Sequence, residues 1–194
     1  MHRTLSLVCV FLLAACGASQ GPGEVSLGNP LDPANLYPLS EGNVWAYDVN
    51  TGLEDDLPVL GQSRVVSAEG NSFSVSTNRS EPVLYERRAE GIFRVQSGTW
   101  LLRAPIDVGS EWEAPGGLRA RVVSVTESVE TPAGSYEGCV RVNESSEQEA
   151  RSTSTIYCPE VGPVVVESVM ESRLTRGEVR VSAILRGFQL AEAP

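Results

Sequence analysis

The apolar positions of this 194-residue chain fall into three regimes. Leu5 to Ala15 form a nearly continuous apolar run in which Ser6 is the only polar member, and residues 17–35 show no apolar period at all. From Tyr37 onward, apolar and polar residues alternate at a spacing of two, the period of a strand with one buried face. In Val44–Val49 that alternation sets Trp45, Tyr47 and Val49 on one side. Ser63–Ala68, Ser72–Thr77, Val83–Arg88, Ile92–Gln96 and Trp100–Arg103 are further short runs rich in β-branched and aromatic residues. Longer ones follow over Leu118–Val129, Tyr136–Asn143, Ser152–Cys158, Val164–Leu174 and Val179–Leu190. Glu69-Gly70-Asn71, Ala89-Glu90-Gly91, Ser97-Gly98, Thr131-Pro132-Ala133-Gly134 and Thr175-Arg176-Gly177 supply turn chemistry between them. No ten-residue stretch carries a 3.6-residue apolar stripe. The pattern therefore predicts one all-β domain over residues 36–194, with about ten antiparallel strands in a strongly curved sheet or open barrel and a β-sandwich as the alternative. The length of the C-terminal strands favours curvature, with Gly187 the expected bend or bulge.

The first regime has the layout of an export signal: a basic start at Arg3, an apolar segment, then small residues. Its eleven residues rise only about 16 Å as a helix, roughly half the hydrocarbon thickness of a bilayer, so it targets rather than spans. Residues 1–15 are the expected signal peptide. Residues 16–35 are the expected tether, with four glycines and three prolines in the stretch GASQGPGEVSLGNPLDPAN. Such a chain has a reach on the order of 25 Å.

Charge narrows the partners. Removal of residues 1–15 leaves fourteen arginines against twenty-five acidic residues, with no lysine and no histidine, a net charge of about −11. Phosphate binding rests on clustered basic side chains, so nucleic acid is an unfavourable partner. The missing histidine and lysine also remove the usual bases that activate a serine, threonine or cysteine nucleophile.

The remaining candidates for chemistry read more simply as structure. Glu54-Asp55-Asp56 lacks the ligand spacing of a calcium loop and reads as a solvated loop. Asp107, Glu111 and Glu113 surround Trp112 and could offer a carboxylate pair to a sugar, but only if a fold held two of them across a cleft. Asn78-Arg79-Ser80 and Asn143-Glu144-Ser145 match the glycosylation acceptor pattern by chance. No catalytic residue, metal ligand or cofactor is assigned.

Cys139 and Cys158 are the informative pair inside the mature chain. A hairpin centred between Gln148 and Glu149 places Cys139 opposite Cys158, Val140 opposite Tyr157 and Val142 opposite Thr155. A non-hydrogen-bonded antiparallel pair brings the Cα atoms to about 4.5 Å, within disulfide range, and an exported compartment is oxidising. The expectation is a cross-strand disulfide.

Two resemblances add to this reading. Leu13-Ala14-Ala15-Cys16 resembles the processing box of a bacterial lipoprotein. That resemblance implies cleavage before Cys16, a diacylglyceryl group on its sulfur and an acyl chain on its new amine; Gly17, where aspartate would retain the protein, implies the outer membrane. The membrane would then be a partner through the anchor at Cys16, held by two or more acyl chains at about 0.8 kcal/mol per buried methylene. The second resemblance rests on Tyr37-Pro38-Leu39 with Gly42, Trp45 and Tyr47, on Thr131-Pro132-Ala133-Gly134-Ser135-Tyr136 leading to Cys139, and on Tyr157 with Pro159, Val161-Gly162 and Val164. It is similar to a group of small secreted or lipid-anchored β-rich bacterial envelope proteins of unknown function, and implies an envelope domain without established catalytic residues. The expected role is non-catalytic: binding another envelope component, or a structural or assembly function. The alternative is a carrier holding an apolar ligand or lipid in a lipocalin-like cavity, which would need a few hundred cubic ångströms lined by Val, Leu and Trp.

Overall fold

The computed structural model describes residue 29 and residues 31–52, 57–146, 151–172 and 177–191. The described residues form twelve strands: β1 (Val44–Asn50), β2 (Val59–Glu69), β3 (Ser72–Thr77), β4 (Val83–Arg88), β5 (Gly91–Arg94), β6 (Thr99–Arg103), β7 (Glu111–Glu113), β8 (Arg119–Thr131), β9 (Gly134–Ser145), β10 (Arg151–Cys158), β11 (Gly162–Ser172) and β12 (Gly177–Gln189). All belong to one antiparallel sheet in the order β6-β5-β4-β3-β2-β1-β12-β11-β10-β9-β8-β7, wrapped into a nearly closed barrel. The sheet is continuous, so the sandwich alternative falls. Beyond the runs read from the pattern, the strand that adds to the count is β7, three residues too short to show a period.

Each strand pairs with its neighbour in sequence except at two places. β1 and β12, at the two ends of the chain, pair from Val44↔Gln189 to Asn50↔Ser182. β6 and β7, consecutive in the chain, form the two edges of the sheet and leave the barrel's seam between them. Across the connection, Ala104 donates to Glu90 on one side while Gly109 donates to Val122 on the other. Gly187 borders a bulge in β12, where Ala46 faces Gly187, Tyr47 faces Leu185, and Arg186 is the extra residue.

Inward positions pack the core. Trp45, Val65, Ile92, Leu102, Val122, Val140, Val164 and Leu185 are each almost wholly excluded from solvent. Trp45 donates its indole N–H to Val161 O at 2.6 Å. The β8–β9 hairpin extends past the end of β10 and curls toward β12, where Ala133 N–H reaches Leu185 O at 3.3 Å. Its two-residue turn carries the Thr131–Gly134 sequence, with Ala133 N–H bonded to Thr131 Oγ1 at 3.1 Å.

The chain enters this barrel through a plug. A four-residue helix, α1 (Pro33–Leu36), starts on Asp32, whose carboxylate accepts from Ala34 N–H at 2.8 Å, with Pro33 in the first turn. Pro33, Leu36, Tyr37 and Leu39 are buried, so residues 31–35 belong to the fold rather than to the expected tether. The Asp-Pro pair at 32–33 is the local start signal that the glycine and proline content of the stretch masks. Asn43 secures the plug: its amide donates to Pro38 O at 2.6 Å and accepts from Ala191 N–H at 2.7 Å.

Candidate functional site

Above the plug the barrel is not filled. A half-open cavity of about 370 Å³ lies inside it, with a wall drawn from ten of the twelve strands. This is the low end of the range in which small-molecule sites fall, roughly 300 to 1,000 Å³. Four tyrosines line it: Tyr37 from the plug, Tyr47 from β1, Tyr85 from β4 and Tyr157 from β10. The Tyr37 ring sits 5.4 Å from Trp45 and 6.1 Å, edge-on, from Tyr85. Tyr47 donates its hydroxyl to Pro163 O at 2.9 Å. Burial raises the Tyr37, Tyr47 and Tyr157 phenols above their ordinary range, so they stand as neutral hydroxyls at physiological pH.

Two charged side chains share this cavity. Arg94 on β5 has the same parity as buried Ile92 and therefore points inward. Its guanidinium lies 5.5 Å from the Tyr85 ring centre and donates to the Tyr85 hydroxyl at 3.2 Å, while its Nε is buried with no hydrogen-bond partner. Burial works against the Arg94 charge, but its hydrogen bond to the Tyr85 hydroxyl and the nearby Glu144 carboxyl work for it, and the group stays protonated. Glu144 on β9 follows Val140 and Val142 on the inward face. Burial pushes its carboxyl above the usual carboxylate range, against the pull of Arg94 and Arg151. The rest of the wall is mixed, with Ser63, Thr77, Asn78, Thr153 and Thr155 beside Val49, Leu101, Val166 and Ala183. Val49, Leu101 and Val166 supply part of the Val and Leu lining expected of an apolar-ligand carrier, while Trp45 does not reach the space and four tyrosines and two charges do.

Cys139 and Cys158 are joined by a disulfide with Cα atoms 4.3 Å apart. The flanking register is Val140↔Tyr157 and Val142↔Thr155. Both sulfurs are buried, and the bridge fixes the end of β10 that presents Tyr157 to the cavity. Cys16 and the Glu54-Asp55-Asp56 cluster lie outside the described residues. Glu111 and Glu113 face outward on β7, where Glu111 meets Arg119 at 3.4 Å and Arg121 at 3.8 Å, and Asp107 is exposed in the connection before it. Glu111 and Trp112 line a shallow open pocket with Arg103 and Pro105, but Glu113 and Asp107 do not reach it, so it holds one of the three carboxylates and not a pair. Among the described residues, no three His, Cys, Asp or Glu side chains gather to hold a metal ion.

No local motif marks Arg94, and Glu144 is marked only as the middle of a glycosylation-pattern match, which says nothing of a cavity. The signal that finds them is parity: each is a charge at a position that alternation assigns to the core face.

No protein-family model and no curated protein matches the chain. Among solved structures it is similar to a provisionally assigned exported protein with a YMCC-like fold from Bacteroides fragilis, at 14% identity over 79% of this chain and 98% of that one, with a TM-score of 0.45. It is also similar to a provisionally assigned lipoprotein from Parabacteroides distasonis, at 15% identity over 79% of this chain and 98% of that one, with a TM-score of 0.39. Neither likeness assigns a role to this chain.

Proposed function

We propose that this protein is a non-catalytic binding protein of the bacterial cell envelope, anchored through acyl chains on Cys16, with the barrel cavity as its binding element. The observation that carries this reading is the cavity itself. A fold that served only as a scaffold gains nothing from a 370 Å³ space walled by tyrosines and half-buried charges, since an apolar filling would be more stable. The phenols, hydroxyls and one charge of each sign set into this lining favour a small molecule with polar groups over the bare acyl chain of the carrier alternative. The anchor rests on the Leu13-Ala14-Ala15-Cys16 sequence, with the outer membrane as its proposed destination and an envelope protein as a further partner that the cavity could serve.

Native mass spectrometry of the full-length protein extracted from its own membrane tests the binding role. The expected spectrum shows a bound small molecule that is released on denaturation and is absent from Ala183→Phe, which fills the cavity. A spectrum of bare protein, together with no thermal shift against any small molecule in a broad metabolite panel, would overturn it. Metabolic labelling with a radioactive fatty acid tests the anchor: label on the wild type and none on Cys16→Ser is the expected result.

A further inference from the structure

The cavity holds two opposite charges that do not meet. Arg94 and Glu144 both line it and influence one another electrostatically, yet among the described residues no ion pair within 4.0 Å joins them. A half-buried charge without a close counterion loses hydration that the fold does not return. Arg94 keeps one neutral partner, the Tyr85 hydroxyl, and leaves its Nε unbonded. Glu144 feels Arg151 as well as Arg94. The Tyr47, Tyr85 and Tyr157 side chains line the same cavity and add aromatic surface and hydroxyls but no charge.

We infer that the cavity takes a small zwitterionic ligand of the amino-acid or short-peptide class, its carboxylate on Arg94 and its ammonium on Glu144. This deepens the binding role proposed above and rests on it. The guanidinium offers N–H donors in a planar fork that matches a carboxylate, and the carboxyl of Glu144 accepts from an ammonium. Such a ligand satisfies both protein charges at once and brings no net charge into the barrel. A purely anionic ligand would meet Glu144 repulsively, a purely cationic one would meet Arg94, and an acyl chain would leave both desolvated. Tyrosine faces and the Val49, Val166 and Ala183 side chains accommodate the apolar part of a residue such as alanine or valine.

Isothermal titration of the mature chain with four probes tests this: the dipeptide alanylalanine, its N-acetyl form, its C-terminal amide, and the neutral disaccharide maltose. The expected result is binding of the free dipeptide, weakened at least tenfold by either cap, with no binding of maltose. Glu144→Gln should weaken the free dipeptide yet leave the N-acetyl form unchanged, and Arg94→Gln should do the converse with the amide. Because both substitutions act on groups inside a fold, each variant is first shown to melt cooperatively. Binding of maltose with no binding of the dipeptides would leave the cavity a binding site and sink the zwitterion. Equal binding of capped and free dipeptides would also sink it. Binding of none of the probes, with no small molecule carried from the membrane, would overturn both the zwitterion and the binding role.

Discussion

Trp45 is seated on Gly162. A Cβ built at position 162 would lie 3.0 Å from the indole Nε1 and 3.3 Å from Cε2, and Gly162 holds φ at +106°, outside the range of other residues. The same indole donates to the carbonyl of Val161. The start of β11 and the aromatic anchor of β1 are thus one interlocked contact between segments 116 residues apart.

Gly162→Ala should therefore cost more than its backbone strain. A left-handed φ costs a non-glycine residue roughly 1–2 kcal/mol, and displacing Trp45 from a buried hydrogen bond adds about 1–3 kcal/mol. Gly70→Ala is the control, since Gly70 has a positive φ and a methyl group added there would meet nothing within 4 Å. Urea unfolding should show the larger loss at Gly162, and equal losses would mean that the Trp45 seat contributes nothing.

The disulfide should stabilise the barrel mainly by restricting the unfolded chain. For a sequence separation of 19, Cys139→Ser with Cys158→Ser should lower stability by about 3 kcal/mol. The oxidised chain should weigh two hydrogens less than the reduced one, and its thiols should take up alkylating reagent only after reduction in denaturant. Ready alkylation of the untreated native protein would rule the bridge out.

Asn43→Ala should loosen both ends of the chain together. Asn43 is 2% exposed and its side chain is shared between Pro38 in the plug and Ala191 after β12, so its loss removes two hydrogen bonds that tie the two ends together. The expected cost is about 1–3 kcal/mol. Amide exchange should quicken at Ala191, and unchanged protection there would contradict the role given to Asn43.

Glu144 and Glu127 should pull stability in opposite directions with pH. Burial raises the Glu144 carboxyl above its ordinary value of 4.5, so the folded state holds that proton more tightly than the unfolded one. Its contribution is greatest in acid and is lost as pH rises through the raised value. Glu127 is lowered by the hydrogen bond from Arg141, 2.9 Å away, so its contribution is present above the ordinary carboxylate value and lost as pH falls through the lowered one. Thermal melts should show Glu144→Gln stabilised near neutral pH with the gain vanishing in acid, and Glu127→Gln destabilised near neutral pH. A Glu144→Gln protein less stable than the wild type near neutral pH would show that its carboxylate is better paired than its burial implies.

Much of the barrel is legible in the sequence, and the cavity is not. Trp45, Tyr47 and Val49 share a face because strand alternation is strict over those residues, and the disulfide register follows from the symmetry of one hairpin. β7 escapes because three residues, Glu111–Glu113, carry no period, and α1 escapes because its helix is a single turn inside a proline-rich stretch. The cavity escapes for a different reason. Arg94 and Glu144 lie fifty residues apart in the chain, and each becomes meaningful only when the sheet closes and the inward faces of β5 and β9 confront one another.

The placement of the seam has a consequence for how the barrel assembles. Of its eleven ladders, ten join strands that follow each other in the chain and so close only short loops; β1–β12 alone joins distant ones. The molecule is two six-stranded meanders, β1–β6 and β7–β12, hinged by residues 104–110 and clasped at β1–β12. Local hairpins form cheaply, whereas the clasp bears most of the loop-closure entropy. Neither meander alone encloses the cavity, because Arg94 belongs to the first and Glu144 to the second; the cavity exists only where β1 is paired with β12.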